Sequence, residues 1–405
     1  GKVPKPRRNH FPCLELFRKP IKMTQKFIPY GRQSIDQDDI EAIVKVLKSD
    51  YLTTGPAVNE FEGLLADKTN SNYAIGLSEN DAAIVPSVTF LASANAMTFT
   101  GAKVIFADCD PATGLMTKDH LENAILRAKK AGLCPKVVVP VHLAGQLCDM
   151  EAISKVARRE GMFVIEDACH AIGTTYGPNL EHVAGDCKWS DLTAFSFHPV
   201  KTIAMGEGGA VTTNSSDFAK KLELFRNHGI TRKPEEFISE DTGKDRSGEW
   251  GSWYYEMSEP GYNYRASDIQ CALGSSQLKK LDMFAAKRRE LREKYYSLEN
   301  SLPEGIRLAN RVPNCSPCPH LMIALFDNDF LGKGRNHVME KLKNDGIGTQ
   351  VHYIPVHLQP YYRTQTVGVD FSGTLSFYNS CLSLPIYTSM SPRDIEVVVS
   401  SLKSL

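Results

Sequence analysis

The chain has 405 residues, and its 47 Lys plus Arg balance 47 Asp plus Glu, so no net field draws it toward nucleic acid or an anionic membrane. That length can bury a large core in two or three lobes, which excludes a small scaffold held together by disulfides. The longest apolar stretches, such as residues 136–143 and 162–165, are far too short to span a bilayer.

Ten cysteines are dilute and irregularly spaced, which fits a reducing cytosol better than an oxidising compartment, and the expectation is a soluble cytoplasmic protein. Residues 1–26 read as a basic, disordered N-terminal extension. Residues 1–22 carry seven Lys or Arg against one acid, prolines at 4, 6, 12 and 20 interrupt the run, and no apolar core of a targeting signal follows. Met23 is the expected functional start. Over 34–48 the spacing predicts a helix, with Ile40, Ile43, Val44 and Leu47 on one face and Ser34 and Asp36 as caps. After a turn at 53–56, a second amphipathic helix at 58–68 leads into a short strand at 73–76.

Strands are expected at 83–86 and 104–107 around a small-residue helix at 91–100, and again at 137–141 and 163–166. Such alternation implies a mostly parallel sheet covered on both faces. Strands at 193–197 and 209–213 flank a turn containing Lys and Gly. Beyond Asp268 the character changes, with a long helix at 285–298 and shorter pieces after it. The expected division is a large cofactor-binding domain at 27–280 and a smaller C-terminal α+β domain at 281–405. Cys315 and Cys318 have zinc-like spacing, but they lie in a Pro-rich stretch without a second Cys or His pair. An ordinary loop is expected there and no metal.

Asp167 ends the apolar run Val164-Ile165-Glu166, at the edge where open α/β sheets bind ligands. Alone, such an aspartate is more often a helix cap. Its partner is Lys201, which follows the apolar strand at 194–197 and precedes Gly206-Glu207-Gly208-Gly209. Pyridoxal phosphate (PLP) chemistry needs an amine that holds the cofactor and shuttles protons. It also needs an acid that keeps the pyridine nitrogen protonated, so that the ring accepts electrons. Lys201 and Asp167 supply that pair. Ser196 is a candidate phosphate ligand, and the glycines let backbone amides approach the phosphate.

The segments Glu166-Asp-Ala-Cys-His-Ala171, Ser196-Phe-His-Pro-Val-Lys201, Gly206-Glu-Gly-Gly-Ala210, Gly261-Tyr-Asn-Tyr-Arg265 and Val351-His-Tyr-Ile-Pro-Val-His357 occur in a telling order. From about Ile28 to the C-terminus the chain resembles the DegT/DnrJ/EryC1/StrS sugar aminotransferases. The resemblance implies an α/β PLP-dependent transferase of fold type I, with a mostly parallel mixed sheet, working as a homodimer with shared active sites. It implies that Lys201 forms the Schiff base, that Asp167 pairs with the pyridine nitrogen and that Phe90 lies on the ring. His170 would sit near the cofactor oxygen and Ser196 at the phosphate of its own subunit, while Asn263 would reach the phosphate of the neighbouring subunit's cofactor. Tyr30, Asp50, Tyr51, Leu52, Thr53, Arg265, His352 and Tyr353 are the expected lining of a nucleotide-sugar pocket. The implied reaction moves an amino group from L-glutamate to the 4-keto carbon of a UDP-linked 4-keto-6-deoxy amino sugar, in pseudaminic acid or related surface-sugar biosynthesis.

The chain departs from the family after the strand at 73–76. The family continues there into a Gly-Thr type of turn and a helix whose N-terminal amides cradle the phosphate. Here Ser78-Glu-Asn-Asp81 runs almost directly into Ala82-Ala-Ile-Val-Pro86. That gap leaves open a non-catalytic dimeric binding protein. A PLP sugar dehydratase is a further alternative, against which Lys201 argues, because such members carry histidine at that place. No GxGxxG follows a strand, which speaks against a nucleotide-sugar dehydrogenase.

Overall fold

The computed structural model describes residues 27–53, 55–69, 80–327, 332 and 334–405. The extension at 1–26, the strand expected at 73–76 and Ser78 and Glu79 after it lie outside the described residues.

Helix α1 (Gln37–Leu47) starts where Asp36 caps the amides of Asp38 and Asp39, and α2 (Pro56–Thr69) follows. The apolar stripe expected on α1 is largely outward. Ile40, Val44 and Leu47 are 48%, 37% and 55% exposed, whereas Asp39 and Val46 are buried. Asp39 is held inside by Gln277 Nε2 at 2.6 Å and Lys280 Nζ at 3.1 Å. Burial of a carboxylate is tolerable only with such partners.

The main sheet begins with β1 (Asp81–Pro86), followed by α3 (Leu91–Phe99), β2 (Lys103–Ala107), α4 (Lys118–Lys130), β3 (Cys134–Val138), α5 (Met150–Arg159) and β4 (Phe163–Asp167). A small hairpin, β5 (Thr175–Tyr176) and β6 (His182–Val183), precedes β7 (Leu192–Ser196) and β8 (Gly209–Thr212). Spatial order is β2-β1-β3-β4-β7-β8, parallel throughout except that β8 runs antiparallel to β7. Ala82 to Val85 of β1 are wholly buried, because helices cover both sheet faces. β3 ends at Val138, earlier than expected, yet the chain still follows its neighbours through a bridge between Val141 and Asp167. Parallel direction brings the C-terminal ends of β1, β3, β4 and β7 to one edge, which puts Asp167 and Ser196 side by side on adjacent strands.

Helix α6 (Ser216–Arg226) and the short pair β9 (Ile230–Thr231) and β10 (Glu256–Met257) lead to α7 (Asp268–Lys279), which packs against α1 and α2. Its Cys271, Ala272, Gly274, Ser275 and Ser276 are buried, so it is a central helix made of small residues. Lys280 separates it from α8 (Leu281–Ser297), which therefore begins before the expected 285. The remainder forms an antiparallel sheet of β11 (Ile306–Leu308), β13 (Met322–Phe326) and β14 (Cys381–Leu384), while β12 (Cys315–Ser316) joins β5. Its core gathers Leu291, Tyr295, Phe326, Leu342 and Leu384, and Ile28 from the chain's start packs into it. Burying a side chain such as Leu291 contributes about 1.5–3 kcal/mol.

Among the described residues no helix is long and apolar enough to cross a membrane. Cys315 lies in the short strand β12, where an ordinary loop was expected, and the Cys318 thiol is buried, 3.8 Å from Thr202 Oγ1.

Candidate active site

Alternation along β4 sends Glu166 and Asp167 to opposite faces. Asp167 Oδ2 accepts a hydrogen bond from Ser93 Oγ at 2.6 Å, and Oδ1 accepts one from Cys169 N at 3.1 Å. Ser93 lies in the first turn of α3 and also meets Thr89 Oγ1 at 2.7 Å. Both carboxylate oxygens are thus anchored, which fixes the direction of the acid. Glu166 turns to the other side, where it meets His142 Nε2 at 2.6 Å and is bonded by Ser190 and Thr193.

Lys201 sits on the turn that leaves β7, with its backbone N bonded to His198 O at 2.8 Å. Burial lowers the pKa of its ammonium group, while Cys169 and Asp167 pull in the opposite direction. The amine is therefore moved toward the neutral, nucleophilic form. At the end of β7 the Ser196 hydroxyl accepts a long bond from His198 N at 3.4 Å, and among the described residues its own hydrogen has no acceptor.

An aromatic and imidazole wall faces these groups. Phe90 caps α3 and is 59% exposed, with its ring 6.0 Å from that of Tyr353. Tyr353 Oη lies 3.0 Å from His170 Nε2. His352 Nδ1 lies 2.8 Å from Ser383 Oγ, and the Tyr30 ring packs 5.7 Å from His352. Burial and then Lys201 push His352 down to about 4, and the same two causes hold His170 well below the ordinary histidine range. These rings are neutral at neutral pH.

The other expected residues form an outer rim. Asp268 N donates to Leu52 O at 3.1 Å, and the Asp268 carboxylate accepts from Gly55 N at 2.6 Å and Ala57 N at 3.2 Å, which fastens the segment containing Asp50, Tyr51, Leu52 and Thr53 to the start of α7. Thr53 also bridges to Ser267. Arg265 Nη1 donates to Asn227 Oδ1 at 2.8 Å, and Asn263 bridges to Asn227 through the backbone. Tyr262 and Tyr264 beside them are exposed and stack at 4.7 Å. The structure thus unites Asp167, Lys201, Ser196, His170, Phe90, Tyr353, His352 and Tyr30, and holds the rim residues through contacts of their own.

Three contributors were not anticipated. Ser93 and the Glu166–His142 pair support the strand end that carries Asp167. His320 is buried with its ring 4.5 Å from His170, and its Nδ1 has no hydrogen-bond partner in the described structure. Only its place at the entry to the apolar strand β13 could have drawn attention to it. A desolvated amine, an oriented carboxylate, an exposed aromatic face and a strand-end hydroxyl together make a donor set that fits PLP.

Residues 33–403 match the DegT/DnrJ/EryC1/StrS aminotransferase family. Among curated relatives, the spore coat polysaccharide biosynthesis protein SpsC of Bacillus subtilis is 35% identical over 404 residues, covering 95% of this chain and 98% of SpsC. Among solved structures, PseC of Helicobacter pylori, an aminotransferase of pseudaminic acid biosynthesis, superposes with a TM-score of 0.81 at 25% identity, covering 94% of this chain and all of PseC (100%). Spr1654 of Streptococcus pneumoniae, described as a sugar aminotransferase and solved in PMP and PLP forms, gives a TM-score of 0.79 in both. Identity is 26% to the first and 25% to the second, over 93% of this chain and 98% of Spr1654.

Proposed function

This chain belongs to the DegT/DnrJ/EryC1/StrS aminotransferase family, whose cofactor is PLP, and on that premise we propose the following reaction for it. It moves an amino group from L-glutamate to the 4-keto carbon of a UDP-linked 4-keto-6-deoxy amino sugar, in pseudaminic acid or related surface-sugar biosynthesis. The observation that carries this reading is the buried Lys201 amine beside the doubly anchored Asp167.

PLP, when bound, supplies a ring that accepts electrons from the substrate carbon. Lys201 would hold it and, once released, carry protons within the site. Asp167 would keep a proton on the pyridine nitrogen, and Ser93 with Cys169 N keeps that carboxylate aimed. Ser196 would bind the phosphate and Phe90 would cover one ring face. The neutral rings of His170 and His352, together with Tyr353, exclude water without adding charge. The outer residues Tyr30, Asp50 to Thr53, Arg265, His352 and Tyr353 would select the sugar nucleotide.

The working unit in this reading is a cytoplasmic homodimer, with residues 27–280 as the cofactor domain and 281–405 as the smaller one. The exposed apolar positions Ile40, Leu47, Tyr51, Leu52, Tyr262 and Tyr264 support a second copy packing on this side. Asn263 would then serve the partner's phosphate site.

The test is direct. Protein with PLP, L-glutamate and the UDP-linked keto sugar should yield the 4-amino sugar and 2-oxoglutarate by mass spectrometry, and Lys201→Ala should yield neither. Equal turnover in the variant would remove Lys201 from the mechanism. The short stretch between Gly76 and Ala82 favours one second reading, a PLP or nucleotide-sugar binding protein without turnover. A PLP absorbance band without product from any keto-sugar nucleotide would select it.

A further inference from the structure

The segment after β3 aims two backbone amides at imidazoles. Cys148 N donates to His142 Nδ1 at 3.3 Å, and Ala144 N donates to His170 Nδ1 at 3.3 Å. A backbone N–H can only donate, so the His170 Nδ1 is an acceptor, and this ring, held neutral by burial, carries its proton on Nε2. The second bond of the His170 ring then has a fixed polarity. His142 Nε2 donates to Glu166 at 2.6 Å, and His170 Nε2 donates to Tyr353 Oη at 3.0 Å.

For His170 the consequence reaches the ligand. Because Tyr353 Oη accepts from His170, its own hydrogen is left to be donated elsewhere. Burial and then the nearby Asp167 hold this phenol protonated. The Tyr353 ring stands next to exposed Phe90, on the wall that faces Lys201 and Asp167.

The backbone that carries the Ala144 amide is left-handed. Ala144 has φ 60°, a left-handed conformation that a residue with a Cβ seldom adopts, and Gly145 follows at φ 90°. A Cβ at Gly145 would lie 2.4 Å from Cys318 O and 3.0 Å from His170 O. Both carbonyls of the turn are clamped, Ala144 O by His320 N at 3.1 Å and Gly145 O by Thr174 Oγ1 at 2.9 Å. The His320 ring packs against that of His170 at 4.5 Å.

We propose that the turn at 143–145 is a tautomer-setting device: Ala144 N–H fixes His170 in its Nε2–H form, which makes Tyr353 a hydrogen-bond donor to an acceptor oxygen of the bound ligand. The ligand part rests on the PLP aminotransferase reading, and the tautomer part does not.

The test has two arms. Protein labelled with 15N-histidine and free of PLP is measured by long-range 1H–15N correlation, with His170→Gln identifying the His170 signals. Between about pH 6 and 8, His170 should show an unprotonated Nδ1 and a protonated Nε2. A protonated Nδ1 would overturn the proposal. In the second arm Tyr353→Phe is loaded with PLP. A shifted cofactor absorbance maximum identifies a cofactor oxygen as the acceptor. An unchanged band with KM for the UDP-linked keto sugar raised about tenfold identifies a sugar oxygen. If neither change is seen, the donor role is overturned. Failure of the underlying PLP reading is seen separately, as no PLP band in the unsubstituted protein.

Discussion

The inner pocket around Asp167, Lys201 and His170 and the outer rim around Tyr51, Leu52, Asn263 and Arg265 are held in different ways. Inner side chains sit at or just beyond the ends of buried parallel strands, and their polar atoms are bonded directly: Asp167 by Ser93 and Cys169, His170 by Ala144 and Tyr353. Rim residues are tied to α7 and Asn227 by backbone contacts and by the Arg265 side chain, while their aromatic neighbours Tyr262 and Tyr264 stay exposed. The difference separates two tasks. In the proposed dimer, strand ends would place the chemical groups within one subunit, and the rim would be the surface that a second subunit and a substrate complete.

The largest effect that would break this comparison is complementation between subunits. Lys201→Ala and Asn263→Ala chains, each inactive or weak alone, should regain activity when co-assembled, because one site of the hybrid dimer then combines Lys201 of one chain with Asn263 of the other. Hybrids no more active than the parents would assign Asn263 to its own subunit. A smaller effect sharpens the inner half. Ser93→Ala leaves Asp167 Oδ2 without its 2.6 Å donor and should lower kcat about tenfold, with the circular dichroism spectrum unchanged.

The smallest effect concerns stability. His352 has its folded pKa depressed to about 4 from 6.5, so between those values the unfolded chain binds more protons than the folded one. Stability contributed by the neutral ring is complete above about pH 6.5 and is lost as pH falls toward 4. The depressed values of His170 and His320 act in the same direction. Tm should therefore fall on acidification through this window, and His352→Asn should flatten the fall. A variant curve parallel to that of the unsubstituted protein would show that His352 does not contribute.

Much of the inner pocket was legible in the sequence, because central parallel strands read as short apolar runs and a polar residue ending one of them stands out. Asp167 and Ser196 are of that kind, and Lys201 lies just beyond such an end. Helix α7 was missed because its buried faces are made of Ala, Gly, Ser and Cys, which leave no apolar period. The stripe on α1 was read correctly as one face, but a period does not say which surface it will meet. Here Asp39, held by Gln277 and Lys280, turns inward instead. His320 could not be recognised, since its place is defined by contact with His170, far away along the chain.

The proposed role of Lys201 as the residue that holds PLP can be tested chemically. Protein incubated with PLP is reduced with borohydride, digested and analysed by mass spectrometry. A pyridoxyl group is expected on the peptide containing Lys201, and none when Lys201 is replaced by Ala. Label on another lysine, or none on Lys201 despite a PLP absorbance band, would contradict it.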